Sequence, residues 1–340
     1  MKKRTKGQHF VPSSYLRGFA TGAGKGASIC IYERNRLVPF RQRPQKAAVQ
    51  TNYYSFKRQD GTLDDSAESF LARVESEAVP VIRTLASNNI QLNWDDRGRV
   101  AFFVALQELR VPWTRQNFEE VYAHLADHLM KFTARVPGLL ENELEELKEK
   151  GEDFDPADAA SIREFMERGE YTVHADPKVS LLTMLQMAPM LHRFYIEMKW
   201  TILRTSHEAP FVTSDNPVVM FDPAYKGGFW GVGLVNPTIE IRFPLTKTAM
   251  LVITHDHARF EEWHRLMEAN NPVEAKTLRQ TLPVIDVFDV QPRAVEALNA
   301  LTIVCADRFV YAPKKDPKIP ELLKGESRAS KVHVGSLRAT

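Results

Sequence analysis

The side chains best suited to chemistry begin in an N-terminal segment, residues 7–20. His9 supplies a titratable imidazole there, and Pro12 follows three positions later with a fixed φ that stiffens the loop. An imidazole titrates near neutral pH, so His9 could transfer a proton or bind a ligand. A histidine that only forms structural hydrogen bonds is the alternative interpretation.

A second polar motif, Thr213-Ser214-Asp215-Asn216-Pro217, follows an apolar strand pattern about two hundred residues later. Its two hydroxyls, carboxylate and amide could line a site that uses Asp215. The alternative is a pure turn, since Asp and Asn hydrogen-bond their own backbone and the residue before a proline is extended.

Two carboxylates and a guanidinium are predicted on neighbouring helices. Glu68 and Glu75 are seven residues apart and share one helical face, and Arg110 ends the next helix. If His9 and Asp215 join them, hard oxygens and an imidazole could bind a divalent metal while the guanidinium binds phosphate. An internal Glu–Arg salt bridge between packed helices is the alternative.

These motifs, taken in order, resemble the domain of unknown function 4238 family. The resemblance rests on the His9-Phe10-Val11-Pro12 opening with Tyr15-Leu16 and Phe19, on the Thr213–Val218 motif, and on Phe243-Pro244-Leu245. It extends over about residues 7–313 and implies no established activity.

The leading hypothesis is a phosphoester hydrolase that acts on nucleic acid or a nucleotide. Its predicted catalytic residues are His9, Asp215 and Glu68. Its predicted substrate-binding residues are Arg110, Ser214, Asn216, Tyr15 and Arg17, and we expect His9 and Asp215 to share one cleft lined by Glu68 and Arg110. The cofactor is left open, a divalent metal being compatible with this donor set.

The charge distribution supports a partner that carries phosphate. Residues 1–60 hold 13 Lys and Arg against Glu33 and Asp60, whereas residues 138–170 hold 12 Asp and Glu against four basic residues. Arg41, Arg43 and Lys46 are the predicted nucleic-acid-binding residues. Simple solvation of a basic arm is the alternative, and a non-catalytic nucleic-acid-binding or interaction protein of mobile elements or host defence is the alternative function.

Other motifs match known sites less well. His124 and His128 have the i,i+4 spacing of a zinc pair but lack the adjoining glutamate of a metalloprotease. Asp256, between two histidines, is interpreted as a helix cap rather than a metal ligand. The aromatic groups Tyr53-Tyr54 and Phe229-Trp230 could stack bases or pack in the core.

The composition indicates a globular protein without a membrane partner. Hydrophobic residues make up 44% and charged residues 26% of 340, and no apolar run approaches the roughly 18 residues that span a bilayer. A polar stretch follows the basic start, so export is not expected. Cys30 and Cys305 are interpreted as buried thiols of a cytoplasmic protein, without a disulfide-linked partner.

The pattern predicts an α+β fold in one domain over residues 1–313. Its helical subregion covers about 62–198, and an antiparallel sheet is built mainly from 199–313, to which strands from 7–56 are possible additions. The basic tail, 314–340, is predicted to be loosely ordered. Asn93 is predicted to cap a helix from Trp94 to Leu109.

Overall fold

The structure is a computed structural model that describes residues 6–327 except Leu37, Gln59, Asn89, Phe154, Glu170 and 227–231. The described residues divide into two compact units: unit one lies within residues 6–114 and 181–327, and unit two lies within residues 115–180. This division falls inside the predicted helical subregion. The single domain over 1–313 stays a prediction, because compactness does not measure independent folding.

The α+β class is confirmed: consecutive helices fill the middle of the chain, and the strands of the described residues precede or follow them. In the described residues the helices are Ser13–Leu16 (α1), Ser66–Leu85 (α2), Trp94–Leu109 (α3), Pro112–Arg135 (α4), Leu139–Glu149 (α5), Ala159–Arg168 (α6), Pro177–Glu197 (α7), His257–Glu268 (α8), Pro272–Gln280 (α9), Pro292–Val304 (α10) and Lys318–Leu322 (α11). The strands are Gly7–His9 (β1), Ile29–Glu33 (β2), Phe40–Gln42 (β3), Val49–Thr51 (β4), Phe56–Lys57 (β5), Leu63–Asp64 (β6), Lys199–Arg204 (β7), Thr213–Ser214 (β8), Val219–Phe221 (β9), Glu240–Thr246 (β10), Ala249–Thr254 (β11), Ile285–Asp289 (β12) and Phe309–Ala312 (β13).

Cap chemistry sets where the two site-bearing helices begin. The Asn93 side chain accepts a hydrogen bond from the Asp96 backbone N–H at 2.8 Å, as predicted for α3. At the start of α2, Asp65 makes no side-chain cap bond and accepts from Ser55 Oγ at 2.6 Å. Asp64, one residue earlier, accepts from the Ser66 N–H at 2.8 Å.

The largest sheet comes from the second half of the chain. Its five strands run in the order β12-β7-β11-β10-β9, and every pair is antiparallel except β12 with β7, which is parallel. Trp200 and Ile202 on β7 are buried, and β11 is buried along nearly its whole length. The prediction of an antiparallel sheet is therefore correct except at its β12 edge.

A second sheet joins the two ends of the chain. Its order is β3-β2-β13-β8, with Ile31 opposite Tyr311 and Tyr311 opposite Thr213. The N-terminal strands thus add to C-terminal strands as expected, although they join β13 and β8 rather than the five-stranded sheet. This sheet places the Thr213–Asp215 motif against residues 307–312.

The N-terminal segment packs into the core of unit one. Val11, Leu16 and Phe19 are fully buried, and the Tyr15 ring stacks on Phe243 of β10 with centroids 5.1 Å apart. The Tyr15 hydroxyl donates to the Pro244 carbonyl at 2.6 Å. Residues 7–20 thus pack against the sheet-bearing half of the chain.

Unit two is a helical unit held by its own contacts. Leu140, Leu144 and Ala159 form a small core, and the buried Arg115 donates from Nε to Ser180 Oγ at 3.0 Å. His124 lies on α4 of this unit, as does His128.

The C-terminal segment is more ordered than predicted as far as residue 327. Ile319 and Leu323 are buried, and Arg34 donates from Nη1 to the Leu323 and Gly325 carbonyls at 2.9 Å. The rest of the predicted tail, residues 328–340, lies outside the described residues.

The structure bears on two expectations, that of no membrane partner and that of no disulfide-linked partner. In the described part of the chain, no helix is long and apolar enough to cross a bilayer. Cys30 and Cys305 are both buried thiols, and no disulfide joins them.

Candidate functional site

His9 is held in one tautomer by the turn that precedes β4. Strand β1 pairs with β4, opposing His9 to Val49, and the His9 Nδ1 lies 3.1 Å from the Ala47 carbonyl oxygen. A carbonyl can only accept, so Nδ1 carries the hydrogen, and the neutral ring keeps its lone pair on Nε2. The residue is partly exposed, and Nε2 has no hydrogen-bond partner among the described residues. His9 therefore presents a basic nitrogen.

A buried ion pair lies next to this imidazole. Arg110 donates from Nη1 to Glu75 Oε1 at 2.8 Å, and from Nε and Nη2 to the Gln107 side-chain oxygen at 2.9 and 2.6 Å. Gln107 in turn donates to the Phe10 carbonyl at 3.0 Å, so the pair is tied to the residue after His9. The predicted Glu–Arg bridge between packed helices is present.

Glu68 and His9 have pKa values shifted in opposite directions around this ion pair. Burial lowers the pKa of His9 below its ordinary 6.5, and the charges of Glu75 and Arg110 act on it with opposite signs. Burial raises the pKa of Glu68, with repulsion from Glu75 in the same direction and attraction from Arg110 against it. We call His9, Glu68, Glu75 and Arg110 the His9 cluster; it contains a base that is neutral near pH 7 and a carboxyl group that protonates more readily than usual.

The predicted nucleic-acid-binding residues lie in the segment that leads to Ala47, whose carbonyl oxygen contacts His9. Arg41, Arg43 and Lys46 are exposed on β3 and on the turn that ends at Ala47, whose carbonyl holds His9. Arg41 is positioned by its Nε donating to Ser28 Oγ at 3.0 Å. Arg17 is also exposed, and its Nη2 lies 2.8 Å from the Gln45 amide oxygen when that oxygen faces the guanidinium.

Asp215 belongs to a hydrogen-bond network with residues 307–309. Its carboxylate is buried and accepts hydrogen bonds from three successive backbone N–H groups, those of Asp307, Arg308 and Phe309, at 2.9, 2.7 and 2.7 Å. Burial raises the pKa of Asp215 to about 7, repulsion from Asp307 adds to this, and the three N–H groups oppose it. Both oxygens are thus engaged inside the protein, and the expected cleft shared with His9 stays a prediction. Asp215 braces β8 against the start of β13.

The polar neighbours of Asp215 are also engaged internally. The Ser214 hydroxyl donates to the Asn216 carbonyl at 2.8 Å, and the Asn216 amide donates to the Cys305 carbonyl at 3.1 Å. The Tyr15 hydroxyl lies 2.8 Å from Thr213 Oγ1. Ser214, Asn216 and Tyr15 are all buried, so the substrate-binding role expected of them is not supported, and the turn alternative describes this motif.

Arg110 is likewise withdrawn from solvent. Its side chain is 2% exposed, and its three nitrogens donate to Glu75 and Gln107. Its expected contact with substrate phosphate is therefore not available, and it acts on His9 and Glu68 through its charge.

The structure also shows the roles of Asp256 and of the aromatic groups named in the sequence analysis. Asp256 accepts from the Arg259 N–H at 3.1 Å and caps α8, and no group of three His, Cys, Asp or Glu side chains suited to a metal ion occurs among the described residues. Tyr54 is buried, and Tyr53 donates to the Arg110 carbonyl, so both pack rather than stack on a ligand. Phe229-Trp230 lies outside the described residues.

Two buried amides were missed from the sequence. Gln8 is fully buried, donates to Ser55 Oγ at 2.8 Å and accepts from the Tyr54 N–H at 2.6 Å. Gln107, also fully buried, links Arg110 to Phe10. The spacing of Gln107 three residues before Arg110 on one helix was the available indication of their contact.

Comparison with known proteins gives a family and no activity. No curated protein and no solved structure matches the chain. The family model described as protein of unknown function (DUF4238) matches residues 7–316, which includes the His9 cluster, the basic residues 41–46 and the Asp215 brace. The chain therefore belongs to the DUF4238 family.

Proposed function

We propose that this protein is a phosphoester hydrolase that acts on nucleic acid or a nucleotide by acid–base catalysis at the His9 cluster. The observation that carries the proposal is the hydrogen bond from His9 Nδ1 to the Ala47 carbonyl. It leaves a basic Nε2 at the end of an exposed basic segment, where a phosphate would be attracted.

In the proposed reaction, His9 and Glu68 each transfer one proton. His9 Nε2 takes the proton of the attacking water or hydroxyl as its oxygen bonds to phosphorus. Glu68, with its raised pKa, gives a proton to the leaving oxygen as the ester bond breaks. Arg43 and Lys46, which are exposed, bind the negatively charged phosphate group of the substrate. Arg110 and Glu75 tune both groups without touching substrate.

The test is turnover of bis(p-nitrophenyl) phosphate and of labelled RNA and DNA oligonucleotides, each with and without EDTA. We expect His9→Gln to reduce kcat/KM by roughly 100-fold or more, because general acid–base groups contribute about 10²–10⁴ in rate. The acidic limb of the kcat/KM profile should lie below pH 6.5, since the pKa of His9 is lowered.

His207→Gln is the matched control, because His207 is exposed in the loop after β7. Its turnover should equal that of the wild type. Circular dichroism should be unchanged in both variants. Absence of wild-type turnover on all three substrates, or full activity in His9→Gln, would refute the proposal. Loss of turnover in EDTA would show that the reaction also needs a metal.

The second candidate function is nucleic-acid binding without catalysis. It is favoured by the exposure of Arg41, Arg43 and Lys46. Exposed basic side chains can bind a phosphate backbone without any catalytic group.

A further inference from the structure

A cavity of about 600 Å³ lies in unit one, at the junction of β11 and α8. The end of α7, the start of α3 and residues 235–237 complete its walls. This volume falls within the range of small-molecule sites. None of its residues belongs to the His9 cluster.

Aromatic rings dominate the cavity wall. They are Trp94, Phe194, Phe260 and Trp263. Phe194 is 52% exposed and Phe260 is 60% exposed, so both rings present apolar surface to water. Phe260 and Trp263 are nearly parallel, at 25° with centroids 6.5 Å apart. Rings presented in this way favour a flat aromatic guest, because stacking removes their faces from water.

The polar groups of the wall are mainly hydrogen-bond acceptors. His255 Nε2 lies 2.9 Å from the Leu234 carbonyl, and His257 Nε2 lies 2.9 Å from the Pro237 carbonyl. Each Nε2 therefore carries hydrogen, and in the imidazole tautomer with hydrogen on Nε2 the Nδ1 atom is an acceptor. Asp256 uses Oδ1 to cap α8, and its Oδ2 has no hydrogen-bond partner among the described residues. A guest that meets these acceptors must bring N–H donors.

The cations of the wall are already engaged by protein groups. Arg279 lies 3.8 Å from Glu197 Oε1 and 5.9 Å from the Trp263 ring centroid. Arg259 donates from Nη2 to the Thr281 carbonyl at 2.6 Å. Both guanidinium groups therefore already have partners within the protein.

We propose that this cavity binds a planar aromatic heterocycle that carries an exocyclic amino group, the chemistry of adenine, cytosine and guanine. The heterocycle stacks on the exposed Phe260 ring, and its amino group donates to Asp256 Oδ2 or to a histidine Nδ1. Either a free nucleoside or nucleotide, or a base of a nucleic-acid strand, supplies this chemistry. The proposal does not rest on the acid–base role of His9.

Calorimetric titration of the full chain with adenosine and inosine tests it. The two nucleosides have the same shape, but inosine has an oxygen acceptor where adenosine has the amino donor. We expect saturable binding of adenosine and a dissociation constant for inosine at least about tenfold larger, since the inosine oxygen would face the acceptor that receives the amino hydrogen of adenosine. Equal affinities, or no saturable binding of adenosine, cytidine, guanosine or oligo(dA), would overturn the proposal.

Variants test whether adenosine binds in this cavity. Phe260→Ala should weaken adenosine about tenfold or more through lost stacking, whereas Phe288→Ala, a 56% exposed ring on β12 outside the cavity, should not. Asp256→Asn keeps a cap for α8 and should reduce the preference for adenosine over inosine. An unchanged affinity in Phe260→Ala would refute the assignment to this cavity.

The source of the guest is separated by parallel titrations with AMP and oligo(dA). Binding of adenosine and AMP assigns a free nucleoside or nucleotide, whereas binding of oligo(dA) alone, lost in Phe260→Ala, assigns a base in a strand. His9→Gln should bind adenosine like the wild type, so loss of hydrolysis and loss of base binding are separate results.

Discussion

Asp215 shows how one buried carboxylate can hold two distant segments together. It lies 92 residues from Asp307, the first of its three backbone donors. Asp215→Ala would leave three buried N–H groups without acceptors, so we expect a loss of roughly 3 kcal/mol or more in the free energy of unfolding. Urea denaturation measures it.

Asp289→Ala is the control for this prediction, because Asp289 is exposed on β12 and should change the unfolding midpoint little. If Asp215→Ala instead kept its stability and lost activity, the original assignment of Asp215 to the catalytic site would be restored.

Glu108 makes stability depend on pH near neutrality. Burial raises the pKa of Glu108 to about 7 from 4.5, although its carboxylate accepts from the Tyr195 hydroxyl. Between pH 4.5 and 7 the folded state keeps a proton that the unfolded state has lost, so this group lowers the free energy of unfolding as pH rises. Above pH 7 both states are ionised and the full penalty is present.

Glu108→Gln should therefore be more stable than the wild type at pH 8, by about 1–2 kcal/mol, and similar to it at pH 4.5. Thermal unfolding across this pH range measures the difference. Glu77→Gln, on the exposed face of α2, should leave the pH profile unchanged. A constant gap between Glu108→Gln and wild type at every pH would contradict the explanation.

At the scale of elements, residues 7–20 are part of the core and not an arm. Leu16 of α1 is fully buried in the main core of unit one. We expect Leu16→Ala to lower the free energy of unfolding by about 2–5 kcal/mol. The thermal midpoint should then fall by roughly 3–7 °C for a chain of this size.

Leu125→Ala provides the comparison, because Leu125 is 51% exposed on α4 and should shift the midpoint little. Equal midpoints for Leu16→Ala and wild type would mean that the N-terminal segment does not support the fold.

At the scale of the whole molecule, charge is separated along the chain. The excess of basic residues in 1–60 predicts attraction of polyanions, and Arg41, Arg43 and Lys46 are its exposed members next to His9. Replacing all three by Glu should weaken binding of a fluorescent RNA or DNA oligonucleotide roughly tenfold or more, and wild-type binding should weaken steeply with salt.

Replacing Lys276, Arg293 and Lys315 by Glu changes net charge equally at other exposed positions. If this control weakens binding as much as the first triple variant, the attraction is a property of net charge and not of the segment beside His9. Fluorescence anisotropy at several salt concentrations distinguishes the two outcomes.

The sequence by itself determined the local elements. The Asn93 cap, the helix from Trp94 to Leu109 and the shared face of Glu68 and Glu75 follow from cap chemistry and a 3.6-residue period. These are short-range properties, since the atoms that decide them lie within a few residues.

Only the tertiary structure decided which polar side chains face solvent. Asp215 looked like a site residue, and its carboxylate accepts hydrogen bonds from backbone N–H groups that are 92 to 94 residues away in the chain. β12 pairs with a strand some eighty residues earlier, and the cavity at α8 collects rings from α3, α7 and α8. Burial of a polar group or exposure of a ring depends on what distant segments bring to it, and no local pattern encodes that.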